Sequence, residues 1–107
     1  MTLFNEREDA FEKQFAHDED LRFKATARRN KLLGLWIAER LGKSGDEAEA
    51  YARSVVLADF EEAGDADVLR KVRQDLDGAG NTTGDAELHA KLNELTARAI
   101  EEVKAGR

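Results

Sequence analysis

Glycine divides this chain into segments, because the sequence contains no proline and runs of helix-forming residues lie between its eight glycines. Alanine, leucine, glutamate, lysine and arginine dominate the 107 residues, and β-branched side chains are few. Such a composition favours α-helices, and no long segment alternates apolar and polar residues as a strand does. Glycine ends a helix at little cost because it adopts positive φ freely. We therefore expect an all-α protein whose helices end at Gly42, at Gly64 and at Gly78 to Gly80.

The first two predicted helices follow from cap signals and apolar spacing. Asn5 is a suitable N-cap, and the acidic side chains after it suit the helix dipole, so we expect helix one to run from about Asn5 to Leu41. Helix two is expected to begin at Ser44, where Glu47 three residues later would complete a capping box. The apolar residues of helix two then recur at helical spacing, as they do on a helix with one buried face.

The last two predicted helices complete the fold. Helix three is expected to begin after Asp65, and helix four after a cap at Thr83 or Gly84. Both carry apolar residues on one face, and short connections between such helices are typical of a bundle. The predicted fold class is therefore an all-α four-helix bundle with a long first helix and a mobile N-terminal arm. Residues 1–20 are expected to form the flexible arm, and residues 21–107 the bundle domain.

Charge divides the first third of the chain into two blocks. Residues 1–20 hold seven acidic side chains and two basic ones, whereas residues 21–31 hold five basic side chains and no acidic one. The acidic block has few large apolar residues, so little packing would hold it in a helix by itself. The basic block is interpreted as a solvated face that pairs with acids elsewhere in the bundle, with docking of an acidic partner as the sharper alternative.

Three of the five phenylalanines lie in the acidic arm. In a helix over residues 4–18, Phe4, Phe11 and Phe15 would fall within about 40° of one another, with Glu8 on the same face. A narrow aromatic stripe on a charged helix is typical of a segment that folds into the groove of a partner. Packing of the stripe on its own bundle is the alternative. Docking is favoured, because the rest of the chain already supplies four amphipathic segments.

The sequence offers no set of residues for catalysis or for metal binding. It has no cysteine, and His17 and His89 are far apart without a ligand spacing. Residues 42–44 match the end of a phosphate-binding loop but lack its upstream glycine. Residues 75–86 match part of a calcium-binding loop but lack the acid that closes it. We predict that the protein is not an enzyme and has no cofactor or metal site.

The net charge of −6 also bears on partners and location. A negative protein disfavours nucleic acid as a partner, because phosphate contacts need a positive face, and residues 22–31 are the only candidate for one. No apolar segment approaches the length of a membrane span, and the acidic N-terminus is unlike a secretory signal. We expect no nucleic-acid partner, no direct membrane insertion, a monomer when free, and a cytoplasmic location.

Three segments of the sequence are specific enough to suggest a family. They are residues 15–18 (FAHD), residues 27–36 (ARRNKLLGLW) and residues 55–64 (VVLADFEEAG). Together they resemble the ATPase inhibitor zeta subunit of alphaproteobacterial F-type ATP synthases, and the resemblance covers nearly the whole chain. It implies a four-helix bundle with an inhibitory N-terminal segment.

The resemblance also implies a function, a partner and a set of contacts. The arm would fold into a helix, wedge into the catalytic sector of the F-type ATP synthase and block rotation in the direction of ATP hydrolysis. The protein would then be peripheral to the inner membrane through that complex. The implied partner contacts are Phe4, Asn5, Arg7, Glu8, Phe11, Glu12 and Phe15. A stand-alone small-ligand or adenine-nucleotide-binding helical bundle, whose arm is only a solubilising tail, is the alternative.

Overall fold

The computed structural model of the chain describes residues 18–59 and 66–106. Within these two ranges the chain forms four α-helices and no strand: α1 (Glu19–Arg40), α2 (Gly45–Ala58), α3 (Ala66–Gly78) and α4 (Asp85–Lys104). The prediction of an all-α four-helix bundle is confirmed for this part of the chain. Residues 1–17 of the predicted arm and the predicted helix end at Gly64 lie outside the described residues, whereas residues 19 and 20, which the prediction assigns to the arm, lie in the first turn of α1.

Helix α1 begins at Glu19, because Asp18 caps it. Asp18 has an extended backbone (φ −137°, ψ 90°), and its Oδ1 accepts a hydrogen bond from the amide of Leu21 at 3.1 Å. Glu19 and Asp20 then place negative charge in the first turn, where the helix dipole favours it. The prediction of one continuous helix from Asn5 is therefore wrong at Asp18. Aspartate favours the cap over a helix interior, because its side chain competes for backbone amides.

Helix α1 ends at a glycine, as predicted. Gly42 has φ +78°, and its amide donates to the carbonyl of Glu39 at 3.1 Å. The amide of Lys43 donates to the carbonyl of Ala38 at 2.9 Å, which completes the Schellman pair of bonds. The same pair ends α3 at Gly80, where φ is +70°. These two glycines fix where the chain turns between neighbouring helices.

The starts of α2 and α4 lack the side-chain caps that the sequence suggests. Ser44 is the N-cap residue of α2, but its side chain makes no capping hydrogen bond, so the predicted capping box with Glu47 is wrong. Gly45 explains this, because its φ of +55° turns the first residue out of helical conformation and away from the Ser44 hydroxyl. Helix α4 begins after Gly84, one of the two predicted caps, which has no side chain to offer.

Helix α1 is the element against which the other three helices pack. The main core cluster draws on all four helices and consists of Leu33, Ile37, Val55, Val68, Val72, Leu76, Leu88, Leu92 and Leu95. A smaller cluster joins the N-terminal half of α1 to the C-terminal half of α4 through Ala25, Ile100 and Val103. Burial of apolar surface along α1 therefore holds the bundle together, because helices of this length are marginal in water alone.

Gly34 allows α1 and α2 to approach each other closely. A Cβ atom at this position would lie 2.6 Å from the Cα atom of Ala52, which is itself fully buried. That distance is far shorter than carbon atoms tolerate, so any side chain at position 34 would push the two helices apart. Glycine is therefore required at position 34 because the backbone of α2 leaves no room for a side chain. Its φ is negative, so conformational freedom is not the reason.

The substitution Gly34→Ala should destabilise the bundle even though alanine is the better helix former. Alanine gains about 1 kcal/mol in helix propensity over glycine, whereas overpacking a filled interface typically costs about 1–3 kcal/mol. We expect a net loss of stability, measured by urea unfolding followed by circular dichroism.

Gly78→Ala is the matched control for this change. Gly78 lies in α3, and a Cβ there would meet no atom within 4 Å. Its stability should stay the same or rise. Equal effects of the two substitutions would contradict the close contact between α1 and α2.

Candidate functional site

The predicted partner contacts lie in residues 1–17 and so outside the described residues. They are Phe4, Asn5, Arg7, Glu8, Phe11, Glu12 and Phe15. The structure does describe the surface that begins where this segment joins the bundle, at Asp18 and the first turns of α1. That surface is the candidate site, and its geometry follows from the packing of α1 on α4 and on the end of α2.

A groove of about 870 Å³ runs along α1 and is called the α1 groove below. Its floor and walls are mainly apolar and are formed by Leu21, Phe23, Ala27, Leu32, Leu35, Val56 and Val103. The side chain of Phe23 is 55% exposed, which is unusual for a large aromatic residue on a helix of a small bundle. An apolar groove with an exposed aromatic side chain is typical of a surface that binds another segment.

Basic side chains of α1 line the same groove. They come from the basic block and form ion pairs within the bundle: Lys24 with Asp20 at 3.2 Å, Arg28 with Glu102 at 3.2 Å, and Lys31 with Glu49 at 3.9 Å. The interpretation of a face that pairs with acids elsewhere in the bundle is confirmed for Arg28 and Lys31, whereas Lys24 pairs within α1. The two lysine pairs are exposed and contribute little to stability, so Lys24 and Lys31 remain available to a second partner.

Arg29 departs from the predicted solvated face, because it is fully buried. Its Nε donates a hydrogen bond to Oδ1 of Asn30 at 3.0 Å. The sequence contains the signal for this burial: Arg29 stands four residues after Ala25 and four before Leu33, and both of these are fully buried. The charge pattern alone treats Arg29 like the other basic side chains, whereas helical spacing places it on the buried face of α1.

Glu102 joins α1 to α4 at the edge of the groove. Its Oε2 accepts from Nε of Arg98 at 2.8 Å, and its Oε1 accepts from Nη1 of Arg28 at 3.2 Å. The hydrogen bond from Arg98 lowers the pKa of Glu102, desolvation opposes this, and the bond from Arg28 lowers it further. The carboxylate is therefore held in its charged form across the α1–α4 contact.

The predicted loop over residues 78–84 is present at the other end of the bundle and is held by polar contacts. Nη1 of Arg40 donates to Oγ1 of Thr83 at 3.0 Å, and Nη2 donates to Glu87 at 2.6 Å. Arg40 also lies over the ring of Trp36, 4.1 Å from its centroid, and Trp36 packs against the main core. Trp36 is therefore a packing residue, and these contacts hold the loop on α1.

Metal and membrane sites can be assessed over residues 18–59 and 66–106. In these ranges no three His, Cys, Asp or Glu side chains are grouped to hold a metal ion. Over the same ranges no helix is both long enough and apolar enough to cross a bilayer. Asp75, which matched part of a calcium loop, accepts hydrogen bonds from Tyr51 at 2.7 Å and Lys71 at 3.1 Å. Those bonds account for its position in the fold.

The fold and the groove together define a small all-α bundle with an apolar groove along its first helix. The family model of ATPase inhibitor subunit zeta matches residues 1–102, and the chain belongs to that family. A structure solved by solution NMR is 57% identical, with a TM-score of 0.72, and the match covers 81% of this chain and 99% of that one. No curated protein matches the chain. The resemblance seen in the sequence is thus confirmed.

The pKa of Glu102 provides a direct test of the α1–α4 contact. The substitution Arg98→Gln should raise the pKa of Glu102 towards its ordinary value, and Arg28→Gln should raise it less, because the bond from Arg98 is the larger cause. The measurement is a carboxylate NMR titration, with Arg53→Gln as an exposed control on α2. In the native protein the stabilising effect is complete above the ordinary glutamate pKa and is lost as pH falls through the lowered one. An unchanged Glu102 pKa in the Arg28→Gln variant would contradict the contact, because Arg98 lies on α4 itself and lowers that pKa without α1.

Proposed function

We propose that this protein inhibits ATP hydrolysis by the F-type ATP synthase and that residues 1–20 are its inhibitory arm. The observation that carries the proposal is the match of the ATPase inhibitor subunit zeta model over residues 1–102, because that range includes the whole arm. The protein acts as a regulatory subunit without chemistry of its own. The alternative of a stand-alone small-ligand or adenine-nucleotide-binding bundle is not favoured by the same match.

The start of α1, at Glu19, supports a boundary between arm and bundle close to the proposed one after residue 20. Asp18 caps the helix with an extended backbone, so α1 begins at Glu19. The first described residue of α1 that is fully buried is Ala25, and the core is built from later residues of all four helices. The arm can therefore adopt its own conformation on a partner while the bundle stays folded.

The arm acts by steric obstruction in this proposal. It folds into a helix in the catalytic sector, at an interface between catalytic subunits and the central stalk, and blocks rotation in the direction of hydrolysis. The bundle remains outside and is held to the complex by the arm. The free protein is a cytoplasmic monomer, and it is peripheral to the inner membrane only through the ATP synthase.

The energetics of folding on binding indicate which contacts the arm needs. Ordering the backbone costs about 1–2 kcal/mol for each residue, whereas burial of a phenylalanine side chain contributes about 1.5–3 kcal/mol. The aromatic stripe of Phe4, Phe11 and Phe15 alone does not offset the ordering of some 15 residues. Helical hydrogen bonds and polar contacts must supply the rest. Those polar contacts are assigned to Asn5, Arg7, Glu8 and Glu12.

The central phenylalanine of the stripe gives the sharpest test of this mechanism. The substitution Phe11→Ala should weaken inhibition of ATP hydrolysis by about 10- to 100-fold, which corresponds to the loss of one buried aromatic side chain. The measurement is a titration of a cognate F-type ATPase with each variant, and circular dichroism checks that the bundle stays folded.

Lys13→Ala is the matched control within the same arm. On a helix, position 13 lies about 200° from position 11, on the opposite face, so its truncation should change inhibition little. Equal losses for the two variants would contradict binding through the aromatic stripe. Unchanged inhibition by Phe11→Ala would contradict it as well.

A further inference from the structure

The α1 groove begins where residues 1–17 end. Asp18 caps α1, and Leu21 and Phe23 already line the groove within the first two turns of the helix. The groove then follows α1 as far as Leu35. The N-terminal segment is therefore tethered beside one end of an apolar groove on its own bundle. A tether this short gives the segment a high effective concentration at the groove.

The groove and the aromatic part of the arm have similar lengths. At 1.5 Å per residue, Leu21 to Leu35 spans about 21 Å of α1, and a helix over residues 4–15 is about 18 Å long. Residues 16–18 would form the connection, within the range of about 2–8 residues that is common between packed helices. The arm would run antiparallel to α1. That arrangement places Phe15 beside Leu21 and Phe4 beside Leu32.

The charges of the two surfaces are opposite. Residues 1–17 contain four acidic side chains and two basic ones. Among the described residues, the groove is lined by Lys24, Arg28 and Lys31, with Glu102 as the one acidic side chain. Lys24 and Lys31 keep 61% and 55% of their side-chain surface exposed in their ion pairs. Both lysines can therefore also attract the acids that surround the aromatic stripe.

The apolar surfaces also fit each other. Phe23 is more than half exposed beside Leu32 and Leu35, which are only partly buried. In a helix the arm would carry three phenylalanines on one face, and exposed apolar patches of this kind mark surfaces that contact another segment. A tethered segment with the right length, charge and aromatic content is therefore the best-supported occupant of the groove.

We propose that in the free protein residues 4–15 fold back as a helix on the α1 groove. The aromatic face of the arm, which would otherwise bind the ATP synthase, is then covered by the groove. The docking is argued from the groove alone. Its effect on inhibition of the ATP synthase depends on the proposed function. The aromatic stripe would then have two competing sites. If nine molecules in ten held the arm docked, the apparent dissociation constant for the ATP synthase would rise about tenfold.

Paramagnetic relaxation in the full chain tests this arrangement. The protein contains no cysteine, so Thr2→Cys provides a single site for a spin label without other changes. We expect loss of amide signal at Leu32, Leu35 and Val56, next to the distal end of the docked arm. Loss confined to the residues that follow Asp18, or spread evenly over the bundle, would overturn the proposal.

A mixed sample separates the tethered arm from a second copy of the chain. Spin-labelled protein without isotope is mixed with isotope-labelled protein without spin label. The proposal predicts that signals at Leu32 and Leu35 are retained in this sample. Their loss would mean that a neighbouring molecule fills the groove, which would overturn the intramolecular contact.

Charge reversal tests the basic rim in the same experiment. Lys31→Glu should reduce the signal loss at Leu32 and Leu35, whereas the exposed control Arg53→Glu on α2 should leave it unchanged. An equal response to the two variants would overturn the role of the rim. None of these measurements involves the ATP synthase, so a failure of the docking is distinguishable from a failure to inhibit hydrolysis.

Discussion

The burial of α1 by the other three helices is the interaction on which the rest of this structure depends. Helices as short as α2 (14 residues) and α3 (13 residues) are marginal in water alone, and packing supplies most helical stability in proteins, so α2, α3 and α4 persist because each covers part of α1. Leu33 and Ile37 anchor the main core, and Gly34 lets the backbone of α2 come close. The remaining face of α1 carries the groove.

The same helix connects the two parts of the molecule. Its buried face holds the bundle together, its exposed face presents an apolar groove with a basic rim, and its N-cap at Asp18 follows directly after the N-terminal residues 1–17. The ion pair between Arg28 and Glu102 joins α1 to α4 at the groove edge. A change in the arm can therefore alter partner binding without loss of the fold, whereas a change at Gly34 should alter both.

The elements that sequence reasoning predicted well are those that depend on local chemistry. Glycine at positive φ ended α1 and α3, because no other residue adopts that conformation as cheaply. The wrong predictions concern helix starts, where the conformation of a single residue decided how the helix began. Asp18 started a helix inside an apparently continuous pattern, and Gly45 turned Ser44 away from its capping bond. The groove could not be predicted, because it depends on how α1, α2 and α4 meet in space. The arm contacts remain predictions.

Inhibition of ATP hydrolysis by a chain that keeps or lacks its arm is the most direct test of this account. A cognate F-type ATPase would be titrated with the full chain and with residues 18–107, which retain Asp18 as the cap of α1. The account predicts that only the full chain inhibits, while both forms unfold at similar temperatures. Equal inhibition by residues 18–107, or no inhibition by either folded form, would contradict it.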